Sequence, residues 1–211
     1  MKMKNILRIK TPSISNSNTG TRFLLSSVLL LFLVNYGFAK DFQVNASSSK
    51  LEWEAKKVTG QHVGTVSFGE GTLQVDKKKI SGGKISVDMT TLVNTDGSGV
   101  NKNLVGHLKS DDFFGVDKFP QASLEIKKVE SKSGDLYHFT ADLTIKGITA
   151  PIEFDAEVTL ASGLLTAIGV MTVNRTKYDI KYRSASFFSD LGDKMISDDF
   201  TLKFKLVAAT K

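Results

Sequence analysis

His62, His107 and His138 are the chain's only histidines, and three imidazoles would in principle be enough for a zinc site. None lies in a Glu-x-x-His or His-x-His arrangement, and His138 falls on the polar face of an alternating segment, so no metal is expected. His62 shares a face with Gly64, Val66 and Phe68. It therefore looks inward, either as a satisfied interior histidine or as a polar contact to a ligand. His107 reads as a hydrogen-bond partner that fixes a loop. The pairs Asp111-Asp112 and Asp198-Asp199 suit acid–base work poorly, because adjacent residues on a strand point to opposite faces. Such pairs are common at turns and caps. No nucleophile elbow, phosphate loop, dinucleotide fingerprint or zinc-protease helix occurs. The chain has no cysteine, which excludes a thiol nucleophile, a thiolate metal site, a disulfide framework and a lipid-bearing cysteine. These residues offer no catalytic constellation, and no cofactor is expected.

Arg175 is the more informative charge. It ends the row Leu165, Ala167, Gly169, Met171, Val173, which would face an interior. An arginine there is either a rim charge paired with a carboxylate or the partner of an anionic head group. Phe113, Phe114, Phe119, Phe187 and Phe188 gather outside the strands, where phenylalanines plug a core edge or line an entrance.

The elements that must position these groups are strands. Ile152, Phe154, Ala156, Val158 and Leu160 alternate with Glu153, Asp155, Glu157 and Thr159, and the same rhythm runs through Tyr137–Lys146, Ile85–Thr90, Leu51–Lys56, Leu165–Arg175 and Phe200–Leu206. Period-2 alternation is the mark of strands with one apolar face. Inward rows should include Leu143, Ile145, Phe154, Ala156, Val158, Met171, Phe200, Leu202 and Phe204, with Glu153, Asp155, Glu157, Thr201, Lys203 and Lys205 outside. Turns are expected at Ser81-Gly82-Gly83, Ser133-Gly134-Asp135 and Ser162-Gly163. Gly69 and Gly71 suggest a bulge within Val63–Val75. Asn101 to Ser110 breaks the rhythm, with Leu104, His107 and Leu108 at helical spacing. An ordered loop follows through Asp111–Gly115 and Phe119-Pro120. Alternation alone does not choose between a barrel and a sandwich.

The net charge of +6 suggests nucleic acid until it is located. Lys2, Lys4, Arg8, Lys10 and Arg22 supply five of those positive charges, and no Asp or Glu precedes residue 40. The remainder is nearly neutral and its charges are interspersed, so no nucleic-acid footprint is present. The basic segment is followed by the apolar run Phe23–Val34 and the small residues Gly37 and Ala39. That is a signal-peptide pattern over residues 1–39, too short in its apolar part for the ~20 residues that span a bilayer. Export to the periplasm or medium, without stable membrane insertion, is the expectation for a single domain over 40–211.

Four ordered stretches resemble one family. His107-Leu108-Lys109-Ser110-Asp111-Asp112-Phe113-Phe114 with Asp117–Ala122, Leu143–Ile152, Val173–Tyr178 and Leu191–Lys194 with Asp198-Asp199-Phe200 are similar to the signatures of YceI-like proteins. Val58–Thr65 is similar to the family's first strands. The resemblance implies an all-β fold, an eight-stranded antiparallel lipocalin-like barrel with a short helix and ordered loop near one end. It also implies an exported carrier or scavenger of an isoprenoid or other long-chain amphiphile, with no catalytic activity. Many relatives carry a His-Ser pair on the first core strand, where this chain has Trp53 and Glu54.

The residues expected to meet such a ligand are Trp53, His62, Phe68, Phe113, Phe114, Leu143, Phe154, Ala156, Met171, Arg175 and Phe187. Burying some twenty methylenes would gain a gross ~16 kcal/mol at ~0.8 each, much of it offset by immobilisation. Two other readings stay open: an enzyme acting on a lipid, and a ligand-free stress or interaction barrel with a packed core. The oligomeric state stays open, a homodimer being one alternative.

Overall fold

The computed structural model describes residues 39–97 and 101–210. All of the expected leader except Ala39 lies outside them. The strands are β1 (Lys40–Val44), β2 (Lys50–Lys57), β3 (Gly60–Asp76), β4 (Lys79–Asn94), β5 (Gln121–Ser131), β6 (Leu136–Ile145), β7 (Ile148–Ala161), β8 (Leu164–Asn174) and β9 (Ile196–Thr210), with one helix, α1 (Lys102–Lys109). All neighbouring strands pair antiparallel.

The sheet closes on itself. From β3 it runs through β2, β9, β8, β7, β6, β5 and β4, and β4 pairs back to β3. The barrel therefore has eight staves, although nine strands are counted. β1 and β2 occupy a single stave: β1 pairs with the far part of β3 (Lys40 with Val75) and β2 with the near part (Lys57 with Gly60), and both also pair with β9. A one-turn 3-10 helix over Ala46–Ser48 interrupts the stave, with the Asn45 side chain capping the Ser48 N–H. Closure removes most of the free edge; among the described residues β7 and β8 part only beyond the Ala156–Gly169 pair.

Alternation places the side chains as expected. Leu143, Ile145, Ala156, Val158 and Met171 are buried, and Glu153, Asp155, Glu157, Lys203 and Lys205 are exposed. Phe154, Phe200, Leu202 and Phe204 point inward yet remain only partly buried, because unfilled space lies in front of them.

Three hairpins use two left-handed residues at the tip: Lys77-Lys78 (φ 48° and 67°), Lys146-Gly147 (52° and 74°) and Ser162-Gly163 (51° and 77°). This is the turn whose twist matches that of the strands it joins. The expected turn at Ser81-Gly82-Gly83 is corrected, because these residues lie inside β4. Ser81 is the extra residue of a bulge, since Gln74 pairs with Gly82 and Val75 with Ile80. A Cβ on Gly83 would meet the Thr72 carbonyl at 2.5 Å and Leu73 Cα at 2.9 Å, so this glycine permits close backbone approach rather than a reversal. The bulge expected near Gly69 and Gly71 is present, as a register shift between Phe68 and Gly71.

α1 begins where the Asn101 side chain accepts from the Leu104 N–H at 3.1 Å and ends at Ser110, an N-cap in the usual chemistry. It is tied to β4 by Lys109 Nζ donating to Thr90 O at 2.6 Å. The following loop is held by Lys146 Nζ on Asp111 O at 2.7 Å. Helix and loop thus lie over one end of the barrel.

Candidate functional site: a two-chambered apolar interior and an outer cleft

The interior is not filled. A chamber of about 100 Å³ lies under α1, and a second of about 80 Å³ lies deeper. Leu51, Val87, Ala122, Leu143 and Leu202 wall both, forming a waist between them. A water-sized group needs roughly 10–15 Å³, so together the chambers have room for about a dozen such groups. Their walls are hydrocarbon apart from Arg175 and Ser197 above and Ser123 below.

The chamber under α1 is walled by Trp53, Leu108, Phe113, Phe114, Ile180 and Phe200, among others. Trp53 is 7% exposed, its Nε1 donates to Val93 O at 3.1 Å, and its ring lies on Gly64 so closely that any Cβ there would collide with it. Phe114 meets Phe200 edge-on at 6.3 Å, and Phe113 tilts onto Tyr182 at 5.5 Å. The deeper chamber is walled by Phe68, Phe139, Phe154, Ala156, Met171 and Phe204, all on strands. Phe139 and Phe154 stack at 5.2 Å, and Phe204 stands edge-on to Phe154 at 5.9 Å. Gly169 makes room for Phe204, whose ring would lie 2.6 Å from a Cβ at that position.

A third space of about 330 Å³ opens on the outside and shares Leu108, Phe113 and Ile196 with the chamber under α1. Those three side chains are the partition between apolar interior and polar cleft. The cleft is lined by Lys57, His62, His107, Arg183, Asp193 and Lys194, with Tyr182. His107 sits edge-on to both Phe113 (5.0 Å) and Tyr182 (4.6 Å), so the ring fixes the loop by packing as well as through a long contact to Asp112 (3.4 Å).

Eight of the eleven expected contact residues wall the chambers without qualification: Trp53, Phe68, Phe113, Phe114, Leu143, Phe154, Ala156 and Met171. Three differ. His62 walls neither chamber. It lies in the cleft, with Nδ1 2.7 Å from Asp96 Oδ2, because its strand has reached the barrel end by that residue. That bond, and then one from Asn94, hold the Asp96 carboxyl at about 2, well below its ordinary 3.8. Phe187 is 49% exposed and touches neither space; it packs under Lys181 Nζ at 5.0 Å. Arg175 does reach the upper chamber, but its donors are spoken for. Nε donates to Ser197 O (2.9 Å), Nη1 to Ile180 O (2.7 Å) and Nη2 to Ile196 O (3.0 Å), with Asp198 Oδ1 at 3.4 Å. The side chain is a buried clamp on three backbone carbonyls. Burial opposes ionisation of Asp198, yet hydrogen bonds from Ser184 and Ser186 and the Arg175 charge outweigh it and hold its pKa below the ordinary value.

The interior also uses residues that were not among the expected ligand contacts. Phe139, Phe200, Leu202 and Phe204 sit on rows that alternation places inward, but nothing in the pattern separates a cavity wall from a packed core. Leu108 and Ile180 come from non-strand segments, and Asp96, the partner of His62, lies in the loop after β4, held by Asn94 at the end of that strand. Among the described residues, no three His, Asp or Glu side chains gather as metal ligands, and no helix is long and apolar enough to cross a membrane.

Comparison with known proteins places this geometry. A YceI-like domain matches residues 42–208. Protein YceI of Shigella flexneri is 35% identical over 96 residues, 45% of this chain and 48% of that protein, so the chain spans about half the length of that relative. Among solved structures, Burkholderia cenocepacia BcnA has the same fold with TM-score 0.65 at 21% identity, covering 79% of this chain and 99% of that one. A polyisoprenoid binding domain from Saccharophagus degradans, implicated in plant cell wall breakdown, has TM-score 0.58 at 14% identity and covers 81% of this chain and 98% of that one.

Proposed function

The chain belongs to the YceI-like family, and from that premise, together with its unfilled hydrocarbon interior, we propose that it binds the apolar chain of an isoprenoid or similar long-chain amphiphile without transforming it. The observation that carries this reading is the pair of joined chambers. A barrel of eight staves is just wide enough either to pack its own side chains or to hold one small ligand, and here inward aromatic residues stop short of filling it. A solvated hydrocarbon tail gains about 0.8 kcal/mol for each methylene moved into such a space. The chambers hold about a dozen water-sized groups, so a longer tail extends past the Leu108–Phe113–Ile196 partition into the cleft.

The polar end then lies in the cleft rather than at Arg175. Lys57, Arg183 and Lys194 outnumber Asp193 there, which favours an anionic or strongly hydrogen-bonding head group. Nothing in the site converges as a nucleophile with its base, so retention and release are the chemistry it supports. Export under the 1–39 leader makes the protein an extracytoplasmic carrier or scavenger. The Saccharophagus domain, named for polyisoprenoid binding, supports the same ligand class.

The test is Ala156→Phe, which fills the deeper chamber from a strand. Thermal melting should change little, because the added ring enters empty space, while displacement of a fluorescent fatty acid by farnesol from delipidated protein should weaken. A packed core would instead lose about 1–3 kcal/mol through overpacking, and that result would favour the ligand-free barrel.

A further inference from the structure

The outer face of β8 carries hydrocarbon that the barrel does not use. Leu164, Ile168 and Val170 point away from the interior and are 46%, 50% and 54% exposed, while Leu165, Ala167 and Met171, of the opposite parity, face in. β8 is an interior stave, paired along its length with β9 and from Leu164 to Gly169 with β7, so Leu164 and Ile168 are not on a sheet edge awaiting another strand. Its flanks carry opposite charge. Ile168 is level with Glu157 on β7 and Lys205 on β9. Val170 is level with Lys203 on β9, and Asp155 lies one residue beyond the Ala156–Gly169 pair on the β7 side. Lys203 already meets Glu54, and Asp155 meets Lys132 and His138. Glu157 and Lys205, which flank Ile168, have no ion pair among the described residues.

We propose that this face binds a second copy of the chain about a two-fold axis lying along β8. Rotation about such an axis lays β7 of one copy over β9 of the other, so Glu157 meets Lys205 of the second copy, and the same contact forms again in reverse. Ile168 and Val170 then pack against their own counterparts, removing the most exposed hydrocarbon on the strand from water. A two-fold axis across β8 would instead lay β7 on β7, bringing Glu153, Asp155 and Glu157 against themselves. A lipid surface would suit the apolar row but not that acidic flank. The charges therefore select both the occupant and the operator.

Sedimentation velocity from micromolar to millimolar protein tests this. The unmodified chain should form a dimer as concentration rises. Glu157→Lys or Lys205→Glu alone should weaken association on the order of tenfold, since each puts like charges in two symmetric contacts. The double exchange should restore it, and Ile168→Glu should abolish it; circular dichroism should report an intact barrel in all four. A chain that stays monomeric at millimolar concentration would overturn the proposal, as would a double exchange no stronger than the singles. So would flotation of the monomer with phosphatidylglycerol vesicles that Ile168→Glu removes.

Discussion

The two chambers are built by different means. The deeper one is walled by strands alone, each contributing alternate residues, and its shape follows from ladder register. The one under α1 is closed by Leu108, Phe113, Phe114 and Ile180, none of which lies on a strand. These are held by hydrogen bonds outside the ladder, chiefly those of Arg175 and the tethers from Lys109 and Lys146. The difference assigns separate tasks. The deeper chamber is a bore whose capacity is set by side-chain size, and the upper one is a closure whose integrity rests on a few polar anchors.

That division is most sharply tested at Arg175. Arg175→Ala should cost about 3–5 kcal/mol in urea denaturation, because three backbone carbonyls, that of Ile180 fully buried, lose a donor at once and the Asp198 carboxylate loses its countercharge. Were Arg175 a head-group ligand instead, stability would barely change while binding of an anionic lipid fell. The next effect in size is Gly64→Ala, expected to cost about 1–3 kcal/mol by overpacking and to shift the emission of Trp53, the chain's single tryptophan. An unchanged spectrum would mean that the indole does not rest on Gly64. Both changes disturb the closure, whereas Ala156→Phe should disturb only the bore.

The smallest effect is one of pH. Asp96 titrates near 2 in the folded protein against an ordinary 3.8, so its contribution is complete above about pH 4 and is lost as pH falls through 2. At 30% side-chain exposure this is about 1 kcal/mol or less after screening. Asp96→Asn should therefore lower the melting temperature slightly at neutral pH, with the difference from the unmodified chain closing below pH 2. A difference that persists at pH 2 would show that packing rather than charge holds the His62 corner.

What was legible in the sequence follows the same line. Alternation located the walls of the deeper chamber because a period of two admits only one inward set, and Phe154, Ala156 and Met171 fell on it. The same pattern carried Arg175 to the end of an inward row but said nothing of Ile180, Ile196 and Ser197, whose carbonyls arrive from a loop outside any strand or from the start of β9, distant in sequence. His62 shows the limit most plainly. Its parity is inward, but the barrel ends before it, and only a loop carrying Asp96 decides what it touches. Ser81-Gly82-Gly83 failed for another reason: glycine marks both reversals and close backbone approach, and the Lys77-Lys78 tip lacks any usual turn residue.

The central claim is that the interior holds a hydrocarbon chain. Native mass spectrometry of the protein purified from its own host, before and after delipidation, tests it most directly. The expected result is one lipid-sized mass excess on each chain, removed by organic extraction, regained on incubation with a prenyl lipid and reduced in Ala156→Phe. A bare polypeptide mass that stays bare after incubation would contradict it.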